Sequence, residues 1–105
     1  MIRLGTNTND ILPDTEFDDF IFGFNGVDTF LCYQGNDALF GGQGDDTFII
    51  APQTGATVYI DGGRGLDTLA LARDPIDIEY VGHKMIIHYE YDMTIVTQRV
   101  EELSL

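Results

Sequence analysis

Aspartate recurs at positions 10, 19, 28, 37 and 46, each nine residues after the last, and again at 67, three residues beyond the place the same register assigns. A fixed short period of this kind is the signature of a repeat architecture, in which one small unit is stacked on the next. Two residues after each aspartate stands a large apolar side chain: Leu12, Ile21, Phe30, Leu39, Phe48 and Leu69. Two residues before it is glycine in most copies, Gly26, Gly35, Gly44 and Gly65. The clearest copies read G-F-N-G-V-D-T-F-L from Gly23, G-G-Q-G-D-D-T-F-I from Gly41 and G-G-R-G-L-D-T-L-A from Gly62, so the unit is G-G-x-G-x-D-x-U-x with U apolar.

The parts of the unit dictate its path. Alternating polarity around U suits a very short strand that points U inward. The glycine-rich half must turn, because glycine enters positive φ without a Cβ penalty and lets neighbouring backbones crowd until their carbonyls converge. One unit has almost no core of its own, so stability has to come from stacking. Turn, strand, turn, strand makes a coil of two units, eighteen residues, with residue i beneath residue i+18. The aspartates then form two columns: Asp10, Asp28, Asp46 and Asp67 on one side, Asp19 and Asp37 on the other.

Carboxylates stacked at the strand spacing of about 4.8 Å repel one another and raise one another's pKa. Eighteen acidic residues against five basic ones, a net charge of -13, make the whole chain a polyanion that repels nucleic acid and anionic lipid. A multivalent cation is the natural counter-charge, and converging carboxylates and carbonyls are the hard oxygen set that calcium selects over the tighter octahedron of magnesium. The alternative is that the aspartates only hydrogen-bond turn amides, as Asp does in ordinary turns. A hydrophobic content of 44% is too high for a disordered acidic tail, so the chain is expected to fold.

These residues resemble the haemolysin-type (RTX) calcium-binding nonapeptide repeat, over residues 5–49 and 62–70. The resemblance implies an all-β chain, a right-handed parallel β-roll with two nonapeptides per coil, and several Ca2+ ions held between turns one coil apart. It implies that the lower turn gives its second and fourth carbonyls and its aspartate, and the upper turn its first and third carbonyls and its aspartate. Carried onto this chain, one site takes Phe24 and Gly26 with Asp28, facing Gly41, Gln43 and Asp46. The next takes Gly42 and Gly44 with Asp46, facing Gly62, Arg64 and Asp67, so that Asp46 bridges two ions. Weaker sets are Thr6, Thr8 and Asp10 with Gly23, Asn25 and Asp28, and in the other column Thr15, Phe17 and Asp19 with Cys32, Gln34 and Asp37. Thr8 and Phe17 stand where the repeat prefers glycine, which leaves those two sites empty or distorted. The resemblance also implies type I export, an extracellular location and a chain that folds outside the cell.

Residues 50–61 hold three extra residues around Pro52 and then a degenerate copy with Val58 in the aspartate place. From residue 71 the pattern becomes alternating strands with turns at Gly82-His83-Lys84 and Asp92: Ile76, Ile78 and Tyr80 share one face, then Met85, Ile87, Tyr89 and Tyr91, then Ile95 onward. This reads as antiparallel hairpins that cap the apolar end of the roll within a single domain, 1–105. Val100 to Leu105 is similar to the last strand of caps in the same family.

Catalysis finds no purchase in these residues. Cys32 stands alone, without a Cys-His-Asn or G-x-S-x-G arrangement, the glycine clusters lack the Lys-Ser/Thr of a phosphate loop, and His83 and His88 fall on opposite faces of a strand pattern. The N-terminal stretch shows no apolar core of a Sec-type signal, and no run approaches a membrane-spanning length. Ile11, Phe20, Phe22, Leu31, Phe40 and Ile49 flank U and are expected to point outward. Such an apolar stripe predicts a partner: a second copy, another protein, or a polysaccharide.

Overall fold

Each U residue with its two flanking positions forms a strand of three or four residues, and strands one coil apart pair in parallel. The computed structural model describes residues 2–51, 53, 55–73, 75–90 and 92–104. Pro52, Tyr91 and Leu105, all used in the sequence reading, lie outside the described residues. Among the described residues there are twelve strands and no helix: β1 (Ile2–Leu4), β2 (Ile11–Pro13), β3 (Phe20–Phe22), β4 (Thr29–Cys32), β5 (Ala38–Phe40), β6 (Thr47–Ile50), β7 (Thr57–Asp61), β8 (Thr68–Leu71), β9 (Asp77–Val81), β10 (Lys84–His88), β11 (Thr94–Gln98) and β12 (Glu102–Ser104). Odd-numbered repeat strands build one sheet, ordered β1-β3-β5-β7-β11-β10-β9, and the even ones build the facing sheet, β12-β8-β6-β4-β2. The chain is a parallel β-roll.

Register follows the repeat. Ile21 pairs with Arg3 and Leu39, and Phe30 with Leu12 and Phe48, each step being eighteen residues. Between β5 and β7, and between β6 and β8, the step grows to twenty-one, as Leu39 meets Ile60 and Phe48 meets Leu69. The three added residues therefore fall between β6 and β7, and the column of U side chains continues across them.

Period-two alternation places U in the narrow space between the sheets. Leu12, Ile21, Phe30, Leu39, Phe48, Ile60 and Leu69 are all buried, and the rings of Phe30 and Phe48 stack with centroids 4.6 Å apart. Each such side chain contributes roughly 1.5–3 kcal/mol by leaving water. Truncating Phe48 would open a hole in the middle of that stack. Cys32, Ile50 and Leu71, two residues beyond U in the even sheet, are also buried and lengthen those strands to four residues.

Beyond residue 71 the strands add to both sheets, antiparallel among β9, β10 and β11 and parallel where β11 joins β7 and β12 joins β8. Met85, Ile87 and Ile95 turn inward onto the core, joined by Tyr89 and Met93. The face assigned to Ile76, Ile78 and Tyr80 is buried only in part: Ile78 packs on the core, whereas Ile76 and Tyr80 are exposed. The reason is position, because β9 is the last strand of its sheet.

Candidate metal centre

Along one edge of the roll the turns Gly5–Asp10, Gly23–Asp28, Gly41–Asp46 and Gly62–Asp67 stack, and their aspartates make a ladder. The backbone N–H of Asp10 donates to Asp28 Oδ1 at 2.8 Å, that of Asp28 to Asp46 Oδ1 at 2.8 Å, and that of Asp46 to Asp67 Oδ1 at 2.9 Å. One carboxylate oxygen each of Asp28, Asp46 and Asp67 is thus spent on holding the coil below it.

The other oxygen is left over. Among the described residues, Asp28 Oδ2, Asp46 Oδ2 and Asp67 Oδ2 are buried without a hydrogen-bond partner, and the three residues are at most 1% exposed. A buried acceptor without a donor costs about 1–3 kcal/mol, more if charged. Burial accordingly pushes the Asp28 carboxyl above its ordinary value and lifts Asp46 and Asp67 from 3.8 to about 7. The ladder amides oppose the rise and the neighbouring carboxylates add to it, Asp67 and Asp28 acting on Asp46. Three adjacent carboxylates that resist ionisation inside a wall of backbone are a site in need of a cation.

The surrounding backbone supplies the rest of the donor set. Gly44 sits at φ 113°, and a Cβ there would run into the carbonyl oxygen of Gly26 on the coil below. A Cβ on Gly42 would meet the Phe24 carbonyl, and one on Gly63 the Gly42 carbonyl, in the same way. The second and fourth carbonyls of each turn therefore crowd against the glycines of the next. Phe24 adopts φ 65°, taking in the first good copy the left-handed place that Gly42 and Gly63 take later. The Phe24 and Gly42 carbonyls each accept one amide of the coil above, from Gln43 and Arg64 at 2.9 Å, and each keeps a second lone pair. Carboxylate and carbonyl oxygens only, with no nitrogen or sulfur among them, are the set suited to calcium. The residues fit the ion, and bound there it would neutralise the column.

The early and opposite turns are built otherwise. Asp10 accepts from Thr6 N at 2.6 Å and from the Thr6 hydroxyl at 3.1 Å; Asp19 accepts from Thr15 N and its hydroxyl at 2.8 and 2.9 Å. Those hydroxyls also take the amides of Thr8 and Phe17, and neither Thr8 nor Phe17 has positive φ. These two turns thus lack the positive φ of the glycine-type turn, and the threonine hydroxyls bond the aspartates instead. Gly23 and Asn25 lie over the Gly5–Asp10 turn, and Asn25 Nδ2 donates to Asn7 Oδ1 at 3.3 Å. In the opposite column Asp37 accepts the Asp19 amide at 2.9 Å and the Cys32 thiol at 3.0 Å. Burial raises the Asp37 carboxyl to about 6 and the Cys32 thiol far above its usual range.

A further set of residues escaped the sequence reading. The residue just before the aspartate is Asn or Asp in four copies, and each reaches one coil up: Asn9 to Val27 N at 2.7 Å, Asp18 to Asn36 N at 2.8 Å, Asn36 to Thr57 N at 2.8 Å and Asp45 to Leu66 N at 2.8 Å. The recurring Asn/Asp-Asp pair was the available signal. On the cap, His88 and Glu79 are paired at 3.0 Å across β10 and β9.

Residues 4–31 and 33–49 match the family model of the RTX calcium-binding nonapeptide repeat, in four copies. No curated protein matches the chain. The matched stretch covers the early turns and the Asp28 and Asp46 turns, and Ca2+ is the ligand expected of it. Residues 4–31 and 33–49 are thus similar to RTX calcium-binding nonapeptide repeats, and they fold as part of a parallel β-roll.

Proposed function

We propose that the chain is a non-catalytic, calcium-responsive folding module that loads its ions along one edge. The observation that carries this is the run of three buried carboxylate oxygens without donors, Asp28, Asp46 and Asp67, confined to that edge. One ion lies between Phe24, Gly26 and Asp28 below and Gly41, Gln43 and Asp46 above. A second lies between Gly42, Gly44 and Asp46 below and Gly62, Arg64 and Asp67 above, so Asp46 serves both. Turns Gly5–Asp10 and 14–19, closed by Thr6 and Thr15, take no ion.

A ligand that binds only the folded chain stabilises it by mass action. Where calcium is scarce the repelling column holds the roll loose; where calcium is near millimolar the roll closes. That behaviour suits a protein exported unfolded by a type I route and folded outside the cell, the setting in which these repeats typically occur. Circular dichroism during a calcium titration, with magnesium as control, tests the reading. Strand signal should rise with calcium and not with magnesium, and a chain equally folded in chelator and in calcium would overturn it.

A second reading, an interaction module, is favoured by the outer face of the odd sheet. Ile2, Leu4 and Phe20 are exposed there, and Phe22 and Phe40 stack at 4.9 Å with rings 9° apart. The two rings cover each other's faces, which leaves edges rather than flat platforms for a sugar ring and suits a flat apolar protein surface better than a polysaccharide. Sizing in calcium over a range of concentrations, and glycan binding assays, separate the two.

A further inference from the structure

The aspartate column does not stop at Asp67. Three kinds of bond that join one turn to the next along this edge are repeated once more, between the Gly62–Asp67 turn and the segment Gln98–Glu102. The first-position amide donates up the column from Gly5 to Phe22 O at 2.7 Å, from Gly23 to Phe40 O at 2.8 Å, from Gly41 to Asp61 O at 2.8 Å, and then from Gly62 to Gln98 O at 2.9 Å. The residue after the aspartate donates down it: Thr29 to Asp10 O, Thr47 to Asp28 O and Thr68 to Asp46 O, all at 2.9 Å, and then Glu102 to Asp67 O at 3.0 Å. The aspartate ladder itself continues with Asp67 N donating to Glu101 Oε1 at 2.9 Å. Glu101 therefore occupies the place of the next aspartate, and Arg99 that of the next first-position glycine.

The donor geometry is reproduced as well. A Cβ on Gly23 would lie 2.5 Å from Asp28 Oδ2 and 2.9 Å from the Gly41 carbonyl; one on Gly41, 2.5 Å from Asp46 Oδ2 and 2.6 Å from the Gly62 carbonyl. One on Gly62 would lie 2.6 Å from Asp67 Oδ2 and press equally on the Arg99 carbonyl. The unpartnered oxygen of Asp67, on a residue 0% exposed, thus faces the Arg99 carbonyl as Asp46 faces Gly62. Arg99 is fixed there at φ 55° by its guanidinium, which grips both oxygens of Asp61, and Asp61 in turn accepts the Gly63 amide at 3.0 Å.

We propose that the cap closes a further calcium site, with the Gly63 and Gly65 carbonyls and Asp67 as its lower half and the Arg99 carbonyl and Glu101 carboxylate as its upper half. It rests on the reading of the Asp28–Asp46–Asp67 column given above. The cap is then part of the calcium machinery, and its ordering over the roll depends on the ion. Because Glu101 is exposed, this ion should be the most readily exchanged.

Calcium bound per chain, measured by isothermal titration and by equilibrium dialysis with metal analysis, tests it on the intact chain. Glu101→Gln keeps the acceptor for the Asp67 amide and removes the charge; it should bind one ion fewer than wild type. Asp46→Asn should lose the two ions that Asp46 bridges and keep the cap ion. If Glu101→Gln binds as many ions as wild type while Asp46→Asn loses two, the cap site is refuted and the repeat sites stand. If Asp46→Asn loses none, the underlying reading fails instead. Leu103→Ala disturbs the same strand without touching a ligand and should bind the full complement; if it loses the same ion as Glu101→Gln, the loss reports an unseated cap and the site is refuted.

Discussion

Replacing Asp46 by Asn should make the roll more stable without calcium and less stable with it. Asn keeps the Oδ1 acceptor that holds the Asp28 amide at 2.8 Å and exchanges the donorless Oδ2 for an NH2 group. That group faces the Gly62 carbonyl across the Gly41 Cα. Lifting a carboxyl from 3.8 to about 7 costs the ion-free fold up to about 4 kcal/mol once the group is ionised, at ~1.4 kcal/mol per pH unit. Water drawn into the turn lowers this toward ~2 kcal/mol, the size of a buried acceptor left without a donor. At pH 8 in chelator the variant should therefore gain about 2 kcal/mol, or roughly 10 °C in Tm for a chain of this size. In calcium at about a hundred times Kd, each ion contributes ~2.7 kcal/mol, so losing two outweighs the gain and leaves the variant about 3 kcal/mol less stable. Thermal and urea unfolding followed by circular dichroism, in chelator and in calcium, measure both differences. A variant destabilised alike in both conditions would refute the account of Oδ2 as an unmet charge, and one with wild-type calcium stabilisation would refute Asp46 as a ligand.

The same carboxyls set a pH dependence. Asp46 and Asp67 hold protons in the fold up to about pH 7 that the unfolded chain releases near 3.8, so the ion-free roll should be most stable below about pH 4 and lose stability as pH rises to 7. Saturating calcium should reverse that slope, as read by urea midpoints across the range. Gly44→Ala puts a Cβ against the Gly26 carbonyl at φ 113° and should cost about 2–5 kcal/mol, whereas Gly55→Ala, at φ 66° with open space around it, should cost about 1 kcal/mol. Equal losses in a thermal melt would refute the crowded-carbonyl account. Cys32 is 0% exposed and its thiol is held from ionising by burial, so a thiol reagent should label it only on unfolding, and calcium should slow the labelling. Labelling at the rate of a free thiol in calcium would contradict its place in the core.

What the sequence alone determined is what the nine-residue period encodes. Inward U side chains, the eighteen-residue coil, two aspartate columns and the single slip of three residues before Asp67 all follow from spacing, because a two-unit coil leaves one way to stack Leu12, Phe30, Phe48 and Leu69. That the Thr8 and Phe17 turns depart from the glycine-type backbone was legible too, since a side chain at the fourth position resists positive φ. Which aspartates keep an unmet oxygen was decided only by the tertiary structure. Asp10, Asp19 and Asp37 share the motif with Asp28, Asp46 and Asp67, yet Thr6, Thr15 and Cys32, four or five residues earlier, fold back onto the first three. The role of Arg99 and Glu101 was equally hidden, for they carry no glycine-aspartate spacing. They enter the column because β12 pairs with β8, and that pairing is a long-range contact with no periodic trace in the chain.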